Sequence, residues 1–404
     1  MKKLLLVVFF TMVPVLAHGG TYYVAKTGSD NNSCSSAKSQ STPKLTIAAG
    51  ASCLSPGDTL IVKAGTYAER LDNPLPSGSA GAPTTMQANT GDVVTIQPPS
   101  ATDVSALLIF QRQYLVIDGF VIDLTNSTNT GILVVGDTTN NIIIQNNEIK
   151  NMPPPVSPGN GGAGIALRPN TTAITVRNNH IHHMASAVTD ASNNTHGIYI
   201  TNVSSIIEGN HIHHVASHGL HMYNAEASTT AHDNILRNNL VHDSGSRGLL
   251  LGSGDNNVAY NNILYRNGVG DNREAVNIGG YGNFATNNKL YNNTIYNNNG
   301  VCVQLGSPDG TIVRNNICYQ NGTDAIVQSN DSNSTIDHNL LGTDPLFVNA
   351  AAQDFHLGAG SRAIDAGVVM PGLSYNGSAP DLGALESGTS GTLPAPVNLR
   401  LVGN

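Results

Sequence analysis

Positive charge is scarce in this chain. Its 19 Lys and Arg stand against 27 Asp and Glu, and only 11% of its residues are charged. Removing Lys2 and Lys3 with the leader described below leaves 17 basic residues against 27 acidic ones. That balance argues against nucleic acid as a partner, because duplex binding needs a basic surface. It also denies a polyanionic ligand any long-range attraction, so such a ligand must be held by local Arg or His clusters. Cysteine is limited to four residues without CxxC or Cys/His spacing, which argues against a structural zinc site. After the first 17 residues no apolar run is long enough to span a bilayer.

The first twenty residues read as an export leader. Lys2 and Lys3 supply the positive start, Leu4 to Leu16 the apolar core, and Val15 and Ala17 the small residues before a cut ahead of His18. The mature chain is expected to be secreted, extracellular or periplasmic, free of the membrane and monomeric. In an oxidising compartment Cys34 and Cys53, which flank a polar loop, are expected to form a disulfide. Cys318 fills a slot that is Ile, Val or Leu in the other repeats and reads as a buried apolar residue. Cys302 has no assignment.

What the chain does have is repetition. One phrase recurs eight times between residues 142 and 342: an apolar pair, a turn ending in Asn, then another apolar residue. IIIQNNEIKN, ITVRNNHIHH and TIVRNNICYQ are examples. The turn Asn residues are Asn147, Asn179, Asn210, Asn239, Asn262, Asn293, Asn316 and Asn339. Their gaps of 32, 31, 29, 23, 31, 23 and 23 residues suggest a basic unit of 23 with loops inserted in the longer ones. Self-similarity at this period means a solenoid. A second phrase, a Gly followed by an alternating strand, lies between the rungs as GIALRP, GIYITN, GLHMYN and GLLLGS. Each coil therefore holds two or three short strands. Stacked coils bring equivalent residues about 4.8 Å apart and turn the Asn column into a ladder.

The chain divides by pattern into a leader (1–17), a strand and capping helix (18–57), the repeats (58–343), a non-repeating closing segment (344–387) and a Gly/Ser/Pro-rich tail (388–404). The helix is expected within KLTIAAGASCL, with Pro43 near its first turn, where it would plug the open end of the solenoid.

With these residues in view, the chain resembles the pectate-lyase-like superfamily. The opening TYYVAKTGSD…GDTLIVKAGTY and the ending DPLFVNAAAQDFHLGAGSRAIDAG…DLGALE carry the likeness, which extends over about residues 21–387. The resemblance implies an all-β fold, a single-stranded right-handed parallel β-helix with a short N-terminal capping helix. It implies a polysaccharide partner, but not a chemistry. The superfamily holds lyases, hydrolases, epimerases, esterases and adhesins, and fold does not give function.

Alternation within the Gly-led strands places one set of residues outward. His196, Tyr199, His218, His221, Tyr223, Arg247 and Glu274 then share a face, with Arg168 at one edge and Arg273 and Asn277 at the other. The loop after Tyr223 adds Asn224 and Glu226. A uronate lyase needs such a set: a cation to neutralise the sugar carboxylate, a base for the C5 proton and an acid for the leaving oxygen. His196, His218 or His221 suits the base, Tyr199 or Tyr223 the acid, and Arg247, Arg168 or Arg273 the carboxylate. Tyr223, Asn224, Glu226, Glu274 and Asn277 would line the substrate. A hydrolase would instead use two carboxylates, for which Glu226 and Glu274 are the best pair, with Asp190 and Asp271 in adjoining loops. A glycan-binding, adhesin-like surface protein is the third reading. No compact Asp cluster lies on this face, so calcium is compatible with the chemistry but has no ligand set. A second column (Lys150, His182, His213, His242, Tyr265, Tyr296 and Tyr319) runs three residues after each ladder Asn. His183, His214 and Asp243 follow one position on. This column reads as stacked rings, and no metal is assigned to it.

Overall fold

A computed structural model describes residues 19–99, 105–127, 129–155, 161–185, 194–223, 231–280, 285–306, 309–329, 333–371 and 373–388. The leader over 1–17 and the tail from 389 onward lie outside the described residues.

Each regular coil carries three strands, and each strand pairs in parallel with its counterpart one coil further on. Among the described residues the first sheet has 12 strands, the second 11 and the third 10. Thr175–Arg177, His180–Met184 and His196–Ile200 form one coil. Ile206–Glu208, His211–Val215 and Leu220–Met222 form the next. Their register pairs Val176 with Ile207, Ile181 with Ile212, and Ile198 with Leu220. These residues are fully buried and belong to inward columns of Ile, Leu and Val running the length of the solenoid. Burying one such side chain contributes about 1.5–3 kcal/mol. Where a Gly leads a third-sheet strand, as Gly164, Gly197, Gly219 and Gly248 do, it sits where the wall is tightest. A Cβ at Gly219 would collide with Val241, and one at Gly197 with Ile212.

The corner between the first and second sheets takes two residues in every coil from Asn146-Asn147 to Asn315-Asn316. Turning the chain and bonding the next coil fall to different residues of this corner. The first residue adopts the left-handed conformation (Asn146 φ 55°, Asn178 φ 53°, Gly209 φ 63°, Asn238 φ 56°). The second turns its amide inward. Asn239 Oδ1 accepts from Asn210 N–H and from Asn210 Nδ2, both at 3.0 Å. Asn239 Nδ2 donates to Ile207 O and to Asn262 Oδ1, both at 2.9 Å. The same pattern links Asn147 through to Asn339.

Two further ladders occupy the other corners. Ser205, Asn234, Asn257 and Asn288 link the turn from the third sheet to the first. Asn267, Asn298 and Asn321 link the turn from the second sheet to the third. Each again follows a left-handed residue, such as Asn256 or Asn297.

At the N-terminal end the helix is shorter than its apolar stretch suggested. It spans Ile47–Ala51 and starts at Thr46, whose hydroxyl accepts from Ala49 N–H at 3.2 Å, not at Pro43. Ile47, Gly50 and Ala51 are buried. Cys34 and Cys53 form the expected disulfide, with Cα atoms 5.3 Å apart. Cys318 holds its inward slot opposite Ile295, but it is not a free apolar residue. It is bonded to Cys302, tying the second sheet to the third across the core. Phe347–Asn349 and Asp354–Leu357 form an antiparallel pair. The segment around them packs on the outside of the solenoid, with Phe355 against Tyr265 and Tyr296, and Leu357 in a cluster with Ile317 and Leu382.

Asn239→Ala removes four buried hydrogen bonds and leaves Asn210 N–H without its acceptor. It should lower unfolding stability by about 3 kcal/mol, read from urea midpoints. Asn238→Gly keeps the left-handed turn and should change stability by less than about 1 kcal/mol.

Candidate functional site

The third sheet brings together the outward residues that alternation placed there. Ala166, Tyr199, His221, Leu250, Asn277 and Gln304 are successive partners in register. Ala163 pairs with His196, and His218, Arg247 and Glu274 continue that position. The column is more enclosed than an outward face suggests: His196, His218 and His221 are 7%, 9% and 8% exposed, and Arg247 is 3%. Arg168 and Arg273 are exposed, while Tyr199, Tyr223 and Glu274 are half-buried. Asn224 and Glu226, with Asp190, lie outside the described residues.

The three imidazoles form a triangle. Ring centroids are 4.1 Å apart for His196 and His221, 4.7 Å for His218 and His221, and 5.3 Å for His196 and His218. Tyr199 stands edge-on to His221 at 4.9 Å and donates its hydroxyl to Tyr223 O at 3.0 Å. The Arg168 guanidinium lies 5.5 Å above the Tyr199 ring, within cation–π range.

Hydrogen-bond partners assign the ring protons. His218 Nδ1 accepts from Arg247 N–H at 3.3 Å, and His196 Nδ1 accepts from His218 N–H at 3.4 Å. Both neutral rings then carry their proton on Nε2. His196 Nε2 can donate to His221 Nδ1 at 2.9 Å, placing the His221 proton on Nε2 as well. Burial pushes His196 down to about 3. Burial first, then the neighbouring imidazoles and Arg247, holds His218 and His221 well below the usual histidine range. All three are therefore neutral at physiological pH.

Arg247 does not have the free cation role that its position suggested. Its Nε and second terminal nitrogen meet Glu274 Oε1 at 2.7 and 2.6 Å. This pair steadies the floor of the cluster and commits both charges to each other. Asp271 is also engaged, by Ser246 Oγ at 2.8 Å and by Arg273 at 3.4 Å. Asn277 Oδ1 is buried without a hydrogen-bond partner. Arg168 and Arg273 are the exposed cations bordering the face, at opposite edges, and Arg273 is already paired with Asp271.

The second sheet carries another imidazole group, only part of which the sequence pattern isolated. His182, His213 and His242 stack at 5.1 and 4.9 Å and continue onto Tyr265 at 4.6 Å, as the column suggested. His180, His211 and Glu148 join them, because residues two apart on a strand share a face. The HIH spacing of 180–182 and 211–213 was the available signal. A groove of about 620 Å³ opens beside this group, at the corner of the first and second sheets, away from the third-sheet face.

A histidine whose proton affinity falls on folding makes stability drop with acid. The unfolded chain takes up protons below pH 6.5 while the folded chain resists until far lower, about 3 for His196. The stability present at neutral pH is lost through that window at about 1.4 kcal/mol per pH unit for each such ring. His221→Asn, which cannot titrate, should show a shallower loss between pH 6.5 and 4 in urea titrations than the parent chain.

Residues 196–344 match the family described as right handed beta helix region. The uncharacterized protein YwoF of Bacillus subtilis (strain 168) is 25% identical over 375 residues, covering 82% of this chain and 76% of YwoF. The crystal structure of pectate lyase Pel9A is similar with a TM-score of 0.67 and 19% identity, covering 91% of this chain and 96% of that one. A glycoside hydrolase structure has a TM-score of 0.59 and 9% identity, covering 85% and 100%. The complex of XylC with xylose has a TM-score of 0.52 and 15% identity, covering 76% and 70%. At such identities the likeness is one of fold, and it agrees with the three parallel sheets. This chain is a right-handed parallel β-helix with the fold of the pectate-lyase-like proteins.

Proposed function

We propose that the protein acts on a uronic-acid-containing polysaccharide and cleaves it by β-elimination on the outer face of the third sheet. One observation carries the choice of chemistry. The face offers neutral imidazoles beside exposed guanidinium groups, whereas both of its described carboxylates, Asp271 and Glu274, already serve guanidinium partners. A hydrolase needs a carboxylic acid free to give a proton to the leaving oxygen. A lyase does not.

The residues divide the work as follows. Arg168, which lies over the Tyr199 ring, pairs with the sugar carboxylate and stabilises the charge that develops when C5 loses its proton, while Arg273, four coils further on, can meet only a different sugar of the chain. His221, next to Tyr199, takes that proton. For this its Nε2 must carry the lone pair, which requires reversing the His196–His221 bond. The bond given up is the 3.4 Å contact from His218 N–H to His196, a long and therefore weak one. Tyr199 gives its hydroxyl proton to the departing O4 as the C4–O4 bond breaks and the C4–C5 double bond forms. Arg247 and Glu274 position the imidazoles without touching the sugar. The fold shared with pectate lyase Pel9A supports a polysaccharide substrate.

The purified protein should be tested against pectate, alginate, glycosaminoglycan and neutral glycans. One uronate polymer is expected to give an ultraviolet-absorbing unsaturated product, and His221→Asn should slow its formation about 100-fold or more. New reducing ends without that product would replace this reading with a hydrolase. Binding without either signal would replace it with a glycan-binding surface protein.

A further inference from the structure

We propose that the outer face of the second sheet holds a divalent transition-metal site of the zinc class, built from His180, His211 and His213. One ring nitrogen from each lies within 4.8 Å of the others. The strand register explains why. His180 and His211 are direct partners across adjacent coils, and His213 lies two residues along the same face. Ligand nitrogens of a tetrahedral zinc ion stand about 3.3 Å apart, so modest rotations of these half-buried rings would close the set. His180 Nε2 is already 2.8 Å from His213 Nε2.

Stacking alone does not account for this arrangement. Ring faces 4.9–5.1 Å apart would satisfy a stack, yet the ring edges are also aimed at one another. Carboxylates back the group at both ends. Asp243 Oδ2 accepts from His242 Nδ1 at 2.7 Å, and His242 Nε2 faces His211 Nε2 at 2.8 Å. Glu148 Oε1 meets His182 Nε2 at 3.1 Å, and Glu148, His180 and His182 form a second close set that shares His180. Each carboxylate orients an imidazole next to the set, His242 or His182, one step further out than the group that usually holds a ligating histidine. Burial keeps His180 down at about 4 and His211 at about 3, and pushes His213 lower still, so all three are in the neutral, ligating form at physiological pH. The groove beside the cluster is lined by Asp92, Asp118, Asp123, Glu148, Lys150 and His180, and although Lys150 Nζ holds Glu148 Oε1 at 2.9 Å, the three aspartates leave a net acidic approach for a cation. An all-imidazole set selects zinc, nickel, cobalt or copper over calcium. The site is independent of the lyase reading, which concerns another sheet.

The test uses the full mature chain without a polyhistidine tag, loaded with zinc chloride, dialysed, and assayed for metal by atomic emission. One zinc per chain is expected in the parent, with less than a tenth of that in the His180→Gln/His213→Gln variant. His356→Gln, which alters a histidine bonded to Asp354 elsewhere, should retain it. Cobalt(II) loaded into the parent should give the intense visible bands of a tetrahedral site, a readout that does not depend on any variant folding. Excess calcium should not displace zinc. Absence of stoichiometric zinc from the folded parent, equal zinc in the double variant, octahedral cobalt bands, or displacement by calcium would each overturn the proposal. None of these outcomes bears on polysaccharide cleavage.

Discussion

Everything in this fold depends on buried amides being satisfied by the next coil. An Asn side chain in an apolar interior costs several kcal/mol unless its donors and acceptor are all used. Here each corner amide binds both the backbone and the side chain of a neighbouring coil, so no rung is satisfied alone. That makes the ladder cooperative along the axis. It also forbids slippage, since a one-residue shift would strand every amide of a column at once. The apolar columns supply most of the stabilising energy, but they are permissive about which Ile meets which Leu. The amides supply the register.

Register, in turn, turns a one-dimensional sequence into surfaces. Once the coils are locked, residues 25 or 27 positions apart become immediate neighbours, as His196 is to His221 and Arg247 to Glu274. The same locking crowds imidazoles that would repel one another if charged. Burial keeps them neutral, and neutrality lets them pack. The two histidine groups therefore share a physical origin, although one lies on the third sheet and the other on the second.

Much of this was legible in the sequence. The solenoid followed from one Asn phrase, and alternation from each Gly placed His196, Tyr199, His221 and Asn277 on one face. Two limits were physical. Alternation tells which side a residue takes, not how deeply it is enclosed or whom it binds, so the Arg247–Glu274 pair and the enclosure of the imidazoles were not readable. The second is that each corner carries its own periodic column, so one ladder does not reveal the others. Asn-Asn doublets also mark the other corners, at Asn256-Asn257, Asn287-Asn288 and Asn297-Asn298, and they carry the second and third ladders. The third and fourth residues after each ladder Asn likewise omit His180, His211 and Glu148, which lie two positions before the third on the same face. The Cys302–Cys318 bond was hidden for a different reason: its halves sit in different columns that meet only inside the core.

The two-residue corner between the first and second sheets, constant from Asn146-Asn147 to Asn315-Asn316, has a consequence for how such a protein can change. Connections on either side of the third sheet vary widely in length, from the short link between Ile317–Tyr319 and Thr323–Ser329 to the long ones before Ala163–Leu167 and after Leu220–Met222. Insertions are thus channelled to the rims of a single face. Evolution can redraw the walls around that face, and with them its selectivity, while no core residue has to move.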